Sequence, residues 1–161
     1  LHIAHISTSG ALSLVKDAKE KGEIRITAGA TAHHALLNYS SENQILRMNP
    51  PLRSEEDRLS IFNGLLTGDI DWIESDHAPH TLQDKMEGKC GIPGFEGTLL
   101  LIEELRRKGI KEERLSALLS SNISSAFGIE ESKMGVPAIT EEMKKKAASA
   151  YLFSPWASRK R

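Results

Sequence analysis

Apolar and polar positions follow two rhythms along the chain: short continuous apolar runs, and longer stretches with helical spacing. Residues 1–6 are an apolar run ending in Ser7-Thr8-Ser9-Gly10, which predicts a short strand. Leu12, Val15 and Ala18 then recur at helical intervals, predicting a helix over 11–21 with Thr8 or Ser9 as its cap and Gly22 as its left-handed stop. Ile24-Arg25-Ile26-Thr27-Ala28, within 23–31, predicts a second strand that runs into Ala32-His33-His34. Pro50-Pro51 excludes regular helix or central strand across 45–53. Ser54, followed by Glu55, Glu56 and Asp57, opens a helix to about residue 66, which Thr67-Gly68-Asp69 ends. A third strand is predicted over 70–74. A loop rich in glycine (Gly88, Gly91, Gly94, Gly97) comes next, then helices over 98–108 and 112–127.

Strands alternating with helices at this spacing predict an α/β fold with a parallel sheet and helical crossovers. Functional groups in such folds gather at the carboxyl ends of strands. His5, His33-His34, and Asp76 with His80 all fall there. From about Ser132 the rhythm is lost, and 141–161 carries six Lys or Arg (Lys144, Lys145, Lys146, Arg159, Lys160, Arg161) against Glu141 and Glu142. This basic tail, 129–161, reads as a solvated or poorly ordered end rather than a nucleic-acid arm.

Composition narrows the function classes. A net charge of −1 gives no electrostatic case for nucleic acid or membrane surfaces. No apolar run approaches the roughly 20 residues that span a bilayer. The single Cys90 excludes an intrachain disulfide framework and fits a reducing, cytoplasmic setting. Leu1-His2-Ile3-Ala4-His5 has no initiator Met and reads as the middle of a domain, so the chain is expected to be a fragment, from truncation or a frame shift.

The densest chemistry is Ser75-Asp76-His77-Ala78-Pro79-His80, one acid and two imidazoles at the end of the third strand. Alone it could be a polar turn with a capping Asp. With His5-Ile6-Ser7-Thr8, Thr31-Ala32-His33-His34, Met48-Asn49-Pro50-Pro51-Leu52-Arg53 and Gly91-Ile92-Pro93-Gly94-Phe95-Glu96, it resembles the dihydroorotases of the amidohydrolase superfamily. The resemblance covers residues 1–128 and departs from the pattern at Ala32 and Gly29, where the family commonly has Pro and Glu.

This resemblance implies part of a (β/α)8 TIM-type barrel, its sixth to eighth strands, with a metal centre (usually Zn²⁺) at the carboxyl face. His5 would be a metal ligand, and Asp76 both ligand and general acid/base. His80 would meet the substrate carboxylate, Asn49 the polar edge of the ring, and Cys90 and Gly91 would belong to a substrate-holding loop. His33 and His34 are read as structural, and His77 as either orienting Asp76 or packed in the core. Arg53 and Arg58 are expected to be solvated or to pair with Glu55 and Glu56. The implied activity is the reversible, metal-dependent cyclisation of N-carbamoyl-L-aspartate to dihydroorotate in pyrimidine biosynthesis. The ligands of the first, fourth and fifth strands are absent, so the isolated chain is expected to be inactive. It is also expected to associate with itself or with a complementary barrel half. The alternatives are a non-catalytic domain that binds aspartate transcarbamoylase, or a hydantoinase- or allantoinase-type amidohydrolase.

Overall fold

The structure, a computed structural model, describes residues 1–41, 43–130, 136–151 and 153–156. Ser132, Arg159, Lys160 and Arg161, named above in the tail, lie outside the described residues. Three short strands, β1 (His2–Ile3), β2 (Thr27–Thr31) and β3 (Trp72–Glu74), pair in parallel with β2 central. His2 stands opposite Thr27, Gly29 opposite Trp72, and Thr31 opposite Glu74. Helix α1 (Ser9–Lys21) links β1 to β2, and the link from β2 to β3 holds α2 (Ala32–Leu36) and α3 (Glu55–Thr67). After β3 come α4 (Leu82–Met86) and α5 (Phe95–Arg107), then α6 (Glu112–Ser116), a π-type turn at Ala117–Ser121 and α7 (Asn122–Phe127). The strand-helix alternation expected from the pattern is present.

The helix boundaries follow from local chemistry. The Thr8 hydroxyl accepts the Ala11 N–H at 3.1 Å, and α1 ends on Gly22 at φ 67°. At α3 the Ser54 hydroxyl accepts the Asp57 N–H at 3.1 Å, and Gly68 at φ 100° closes the helix. Asp57 also accepts the Ser9 N–H at 2.8 Å, so one carboxylate ties the starts of both crossover helices together. Leu12 and Val15 of α1, Ile61 and Leu65 of α3, and Leu101, Ile102 and Leu105 of α5 share one core with Ala28 and Ala30 of β2.

β2 lies later than the apolar pattern predicts. Ile24-Arg25-Ile26 mimics the alternation of a half-buried strand, yet Ile24 is exposed and the ladder forms through Thr27–Thr31. The Thr27 N–H donates to Leu1 O at 2.9 Å, and the Asp71 N–H donates to Ala28 O at 2.9 Å. Residues 112–127 form a helical rod interrupted by the π-type turn, rather than one α-helix. Within the expected glycine loop, α4 forms because Thr81 and Asp84 cap its start reciprocally.

The tail also differs from expectation in its described part. Helix α8 (Glu141–Ser149) starts where the Thr140 hydroxyl accepts the Met143 N–H, and Lys144 reaches Glu103 of α5 at 2.9 Å. Trp156 is only 3% exposed and covers Gly97, where a Cβ would overlap its ring. Its indole N–H points to Pro93 O at 3.4 Å. A flat aromatic needs a surface free of side chains, and the first turn of α5 supplies one. No helix among the described residues is long and apolar enough to cross a membrane.

Candidate metal-binding and catalytic site

His5 and Asp76 follow the carboxyl ends of β1 and β3, the two strands flanking β2. Among the described residues they are the non-glycine residues with positive φ, at 52° and 42°. That region costs an L-residue about 1–2 kcal/mol, and such strain concentrates where a side chain must be aimed. Here both side chains turn toward one point: His5 Nε2 lies 3.9 Å from Asp76 Oδ1. From α2, His33 Nε2 lies 3.8 Å from Asp76 Oδ2. Neither separation is a hydrogen bond.

Glu74 sets the orientation of His5. Its Oε2 accepts the His5 backbone N–H at 2.8 Å and pairs with His5 Nδ1 at 2.9 Å. Its Oε1 pairs with His2 Nε2 at 2.7 Å and accepts the Trp72 indole N–H at 3.3 Å. Burial pushes the Glu74 carboxyl up, but the His2 bond, the His5 N–H and the nearby imidazoles outweigh it, so its pKa lies below the ordinary value. His2 also stacks on Trp72 with ring centroids 4.3 Å apart. Sequence reasoning missed Glu74, because no motif marks it and its role depends on a neighbouring strand.

The histidine pair divides its duties. His34 is spent: Nε2 donates to Pro50 O at 3.0 Å, and Nδ1 meets the Thr31 hydroxyl at 2.8 Å. Burial lowers its pKa to about 4 despite the Pro50 bond. His34 thereby holds the segment after Asn49, whose peptide bond to Pro50 is cis. His33 is 1% exposed, yet neither ring nitrogen has a hydrogen-bond partner among the described residues. Burial, then His34 and His5, keep its pKa well below normal, so the ring is neutral.

The loop beyond Asp76 is internally bonded. His80 Nε2 donates to Cys90 O at 2.9 Å, so this nitrogen braces the loop. Gly91 donates its N–H to Arg47 O at 3.0 Å, and at φ 123° its Cβ would press within 2.8 Å of Ala78. The loop therefore needs Gly91 for close approach, and the N–H is not left over for a ligand. Lys85, 0% exposed and also missed from sequence, donates to Arg47 O, Lys89 O and Gly91 O at 2.7, 2.8 and 2.8 Å. The reciprocal Thr81–Asp84 cap was the legible sign of the helix that carries it. Lys85 joins the Asn49 side of the site to the Cys90-Gly91 side.

His77 is packed, one of its two expected states: it stacks on Phe95 at 3.8 Å, accepts the Gly94 N–H at 3.1 Å, and meets Tyr151 Oη at 2.5 Å. Asn49 and Cys90 are exposed and part-exposed respectively. Arg58 pairs with Glu55 at 2.6 Å as expected, whereas the buried Nε of Arg53 has no hydrogen-bond partner among the described residues.

The centre thus brings an imidazole nitrogen and a carboxylate within 3.9 Å of each other, beside a buried, neutral imidazole. Nitrogen and carboxylate donors are of the kind a divalent cation takes. Among the described residues, no three of His, Cys, Asp or Glu are gathered closely enough to hold a metal ion. His5 Nε2 and the Asp76 carboxylate are two donors of a kind that could hold such a cation.

No family model matches the chain. In sequence it is 40% identical over 142 residues to the dihydroorotase of Bacillus thuringiensis (strain Al Hakam), which covers 83% of this chain and 33% of that protein. The dihydroorotase of Bacillus cereus (strain B4264) gives the same figures. The chain therefore spans 33% of the length of these curated relatives. Among solved structures, the D-hydantoinase (dihydropyrimidinase) from Thermus sp. matches with a TM-score of 0.75 and 25% identity, over 86% of this chain and 33% of that one. The dihydroorotase of Saccharomyces cerevisiae, solved with 5-fluoroorotic acid, matches in fold with a TM-score of 0.66 at 20% identity, over 80% of this chain and 38% of that one. In sequence the chain is similar to the dihydroorotases, and its fold is similar to those of solved hydantoinases and of a dihydroorotase.

Proposed function

We propose that the chain forms the carboxyl-terminal part, the sixth to eighth strands, of the barrel of a metal-dependent dihydroorotase. The observation that carries this reading is the convergence of His5 and Asp76, both at positive φ, at the ends of β1 and β3. His5 Nε2 and the Asp76 carboxylate would hold a divalent cation, with Zn²⁺ suited to the mixed nitrogen and oxygen donors. When bound, such a cation supplies Lewis-acid activation of water and of an amide carbonyl.

The chain's own residues do the rest. Asp76 takes the proton of the attacking water and returns it to the departing ring nitrogen; in the direction of synthesis the transfers reverse. Asn49, with both donor and acceptor atoms, faces the amide edge of the ring. His80 would meet the substrate carboxylate with both ring nitrogens protonated, Nδ1–H donating to it while Nε2–H stays on Cys90 O at 2.9 Å. The Cys90-Gly91 loop contributes shape, fixed from below by Lys85. An orotate analogue in the yeast relative is consistent with this substrate class. Exposed Leu1 and Ile24, which precede β1 and β2, offer apolar surface that a complementary barrel half would cover.

The test is turnover of dihydroorotate by the natural product of the gene, supplied with Zn²⁺. Asp76→Asn is expected to lower kcat by roughly 10²–10⁴-fold. Hydrolysis of hydantoin without turnover of dihydroorotate would favour the hydantoinase reading instead.

A further inference from the structure

Gly29 lies at the middle of β2, between the strands that carry His5 and Glu74. A Cβ there would overlap the Glu74 carboxyl and lie 2.8 Å from its Cγ. The carboxylate of β3 thus occupies the room that a side chain on β2 would fill, and from that seat it reaches β1. It accepts four N–H groups: two from His5, one from His2 and one from Trp72. An ionised carboxylate only accepts, so His5 must present its proton on Nδ1. The lone pair of the neutral ring is then on Nε2, the nitrogen that faces Asp76.

We propose that Glu74 is the positioning residue of this centre, fixing the tautomer and direction of His5 across an obligatory gap at Gly29. It touches neither substrate nor cation; it acts through His5, as carboxylates behind ligating imidazoles do. The inference rests on the reading of His5 as a donor to a divalent cation. It adds a constraint the motifs do not carry: residues 29 and 74 form a unit in which one must lack a side chain for the other to reach.

The test uses the full 161-residue chain, metal-free, ¹⁵N-labelled and held at one neutral pH, with two-bond ¹H–¹⁵N spectra reading each imidazole tautomer. His5→Gln assigns the His5 signals. In the parent chain His5 is expected as the Nδ1–H form, with His80, which donates through Nε2, as the internal contrast. Glu74→Ala should shift His5 toward the Nε2–H form, and so should Gly29→Ala, although Glu74 is intact there. The second variant keeps the test open if the first fails to fold. A Co²⁺ titration should show affinity reduced about 10–100-fold in both variants. His5 remaining Nδ1–H in both would overturn the positioning role. Cobalt affinity unaltered by His5→Gln would overturn the metal-centre reading itself, and the tautomer spectra, recorded without metal, separate the two failures.

Discussion

Two regions of the molecule use similar side chains to opposite ends. At the strand ends, His5 Nε2, both nitrogens of His33 and the Asp76 carboxylate face one another without closing a hydrogen bond. In the neighbouring 77–97 segment, polar atoms are committed: Lys85 Nζ to three carbonyls, His80 Nε2 to Cys90 O, and His77 to Gly94 and Tyr151. Burial penalises any polar group left unpaired. Bonded groups fix the shape of that segment, whereas those at the strand ends close no hydrogen bond to one another. Motif matching alone cannot draw this line, since His77, His80 and Asp76 come from the same hexapeptide.

The sharpest break of this contrast is Lys85→Met. If the ammonium is architectural, removing three charge-assisted bonds should cost about 4 kcal/mol in urea denaturation. A loss under about 1 kcal/mol would return Lys85 to the unassigned groups.

A pH series tests the committed histidine. His34 titrates at about 4 in the fold and near 6.5 when unfolded. The unfolded chain therefore binds more protons between these values, so stability is full above pH 6.5 and declines as pH falls toward 4. The expected loss is about 3 kcal/mol, with buried His33 acting in the same direction. Flat stability from pH 7 to 4.5 would contradict the neutral, buried assignment.

Gly97→Ala probes the docked tail. A methyl at this position overlaps the Trp156 ring, and overpacking of this kind costs about 1–3 kcal/mol. The emission of Trp156 should shift red as the ring is displaced. Smallest is Arg58→Ala, which removes the pair with half-exposed Glu55. That change should cost under about 1 kcal/mol, and a much larger loss would show that the Arg58 bond to Ala35 O carries structure.

Much of the scaffold was legible because it rests on short-range chemistry. Thr8, Gly22, Ser54 and Gly68 bound their helices through hydrogen bonds and φ values that neighbouring residues dictate. Where tertiary pairing chose among candidates, legibility failed. Ala-Gly-Ala in β2 gives no apolar signal, whereas Ile24-Arg25-Ile26 gives a false one, because Ala28 and Ala30 are fully buried and Gly29 leaves its room to the Glu74 carboxyl. The tail looked solvated from its lysines, yet Trp156 found a glycine on α5 to cover.

By itself the sequence determined the alternation of strands and helices, their caps, and the two side chains, His5 and Asp76, offered at strand ends. Only the tertiary structure decided that Glu74 would hold His5 over Gly29, that Lys85 would knit the loops, and that His33 would stand beside Asp76 with no hydrogen-bond partner among the described residues. The physical reason is range: caps and turns are settled within a few residues, whereas these contacts join residues 69, 38 and 43 positions apart, and no local pattern encodes a partner that far along the chain.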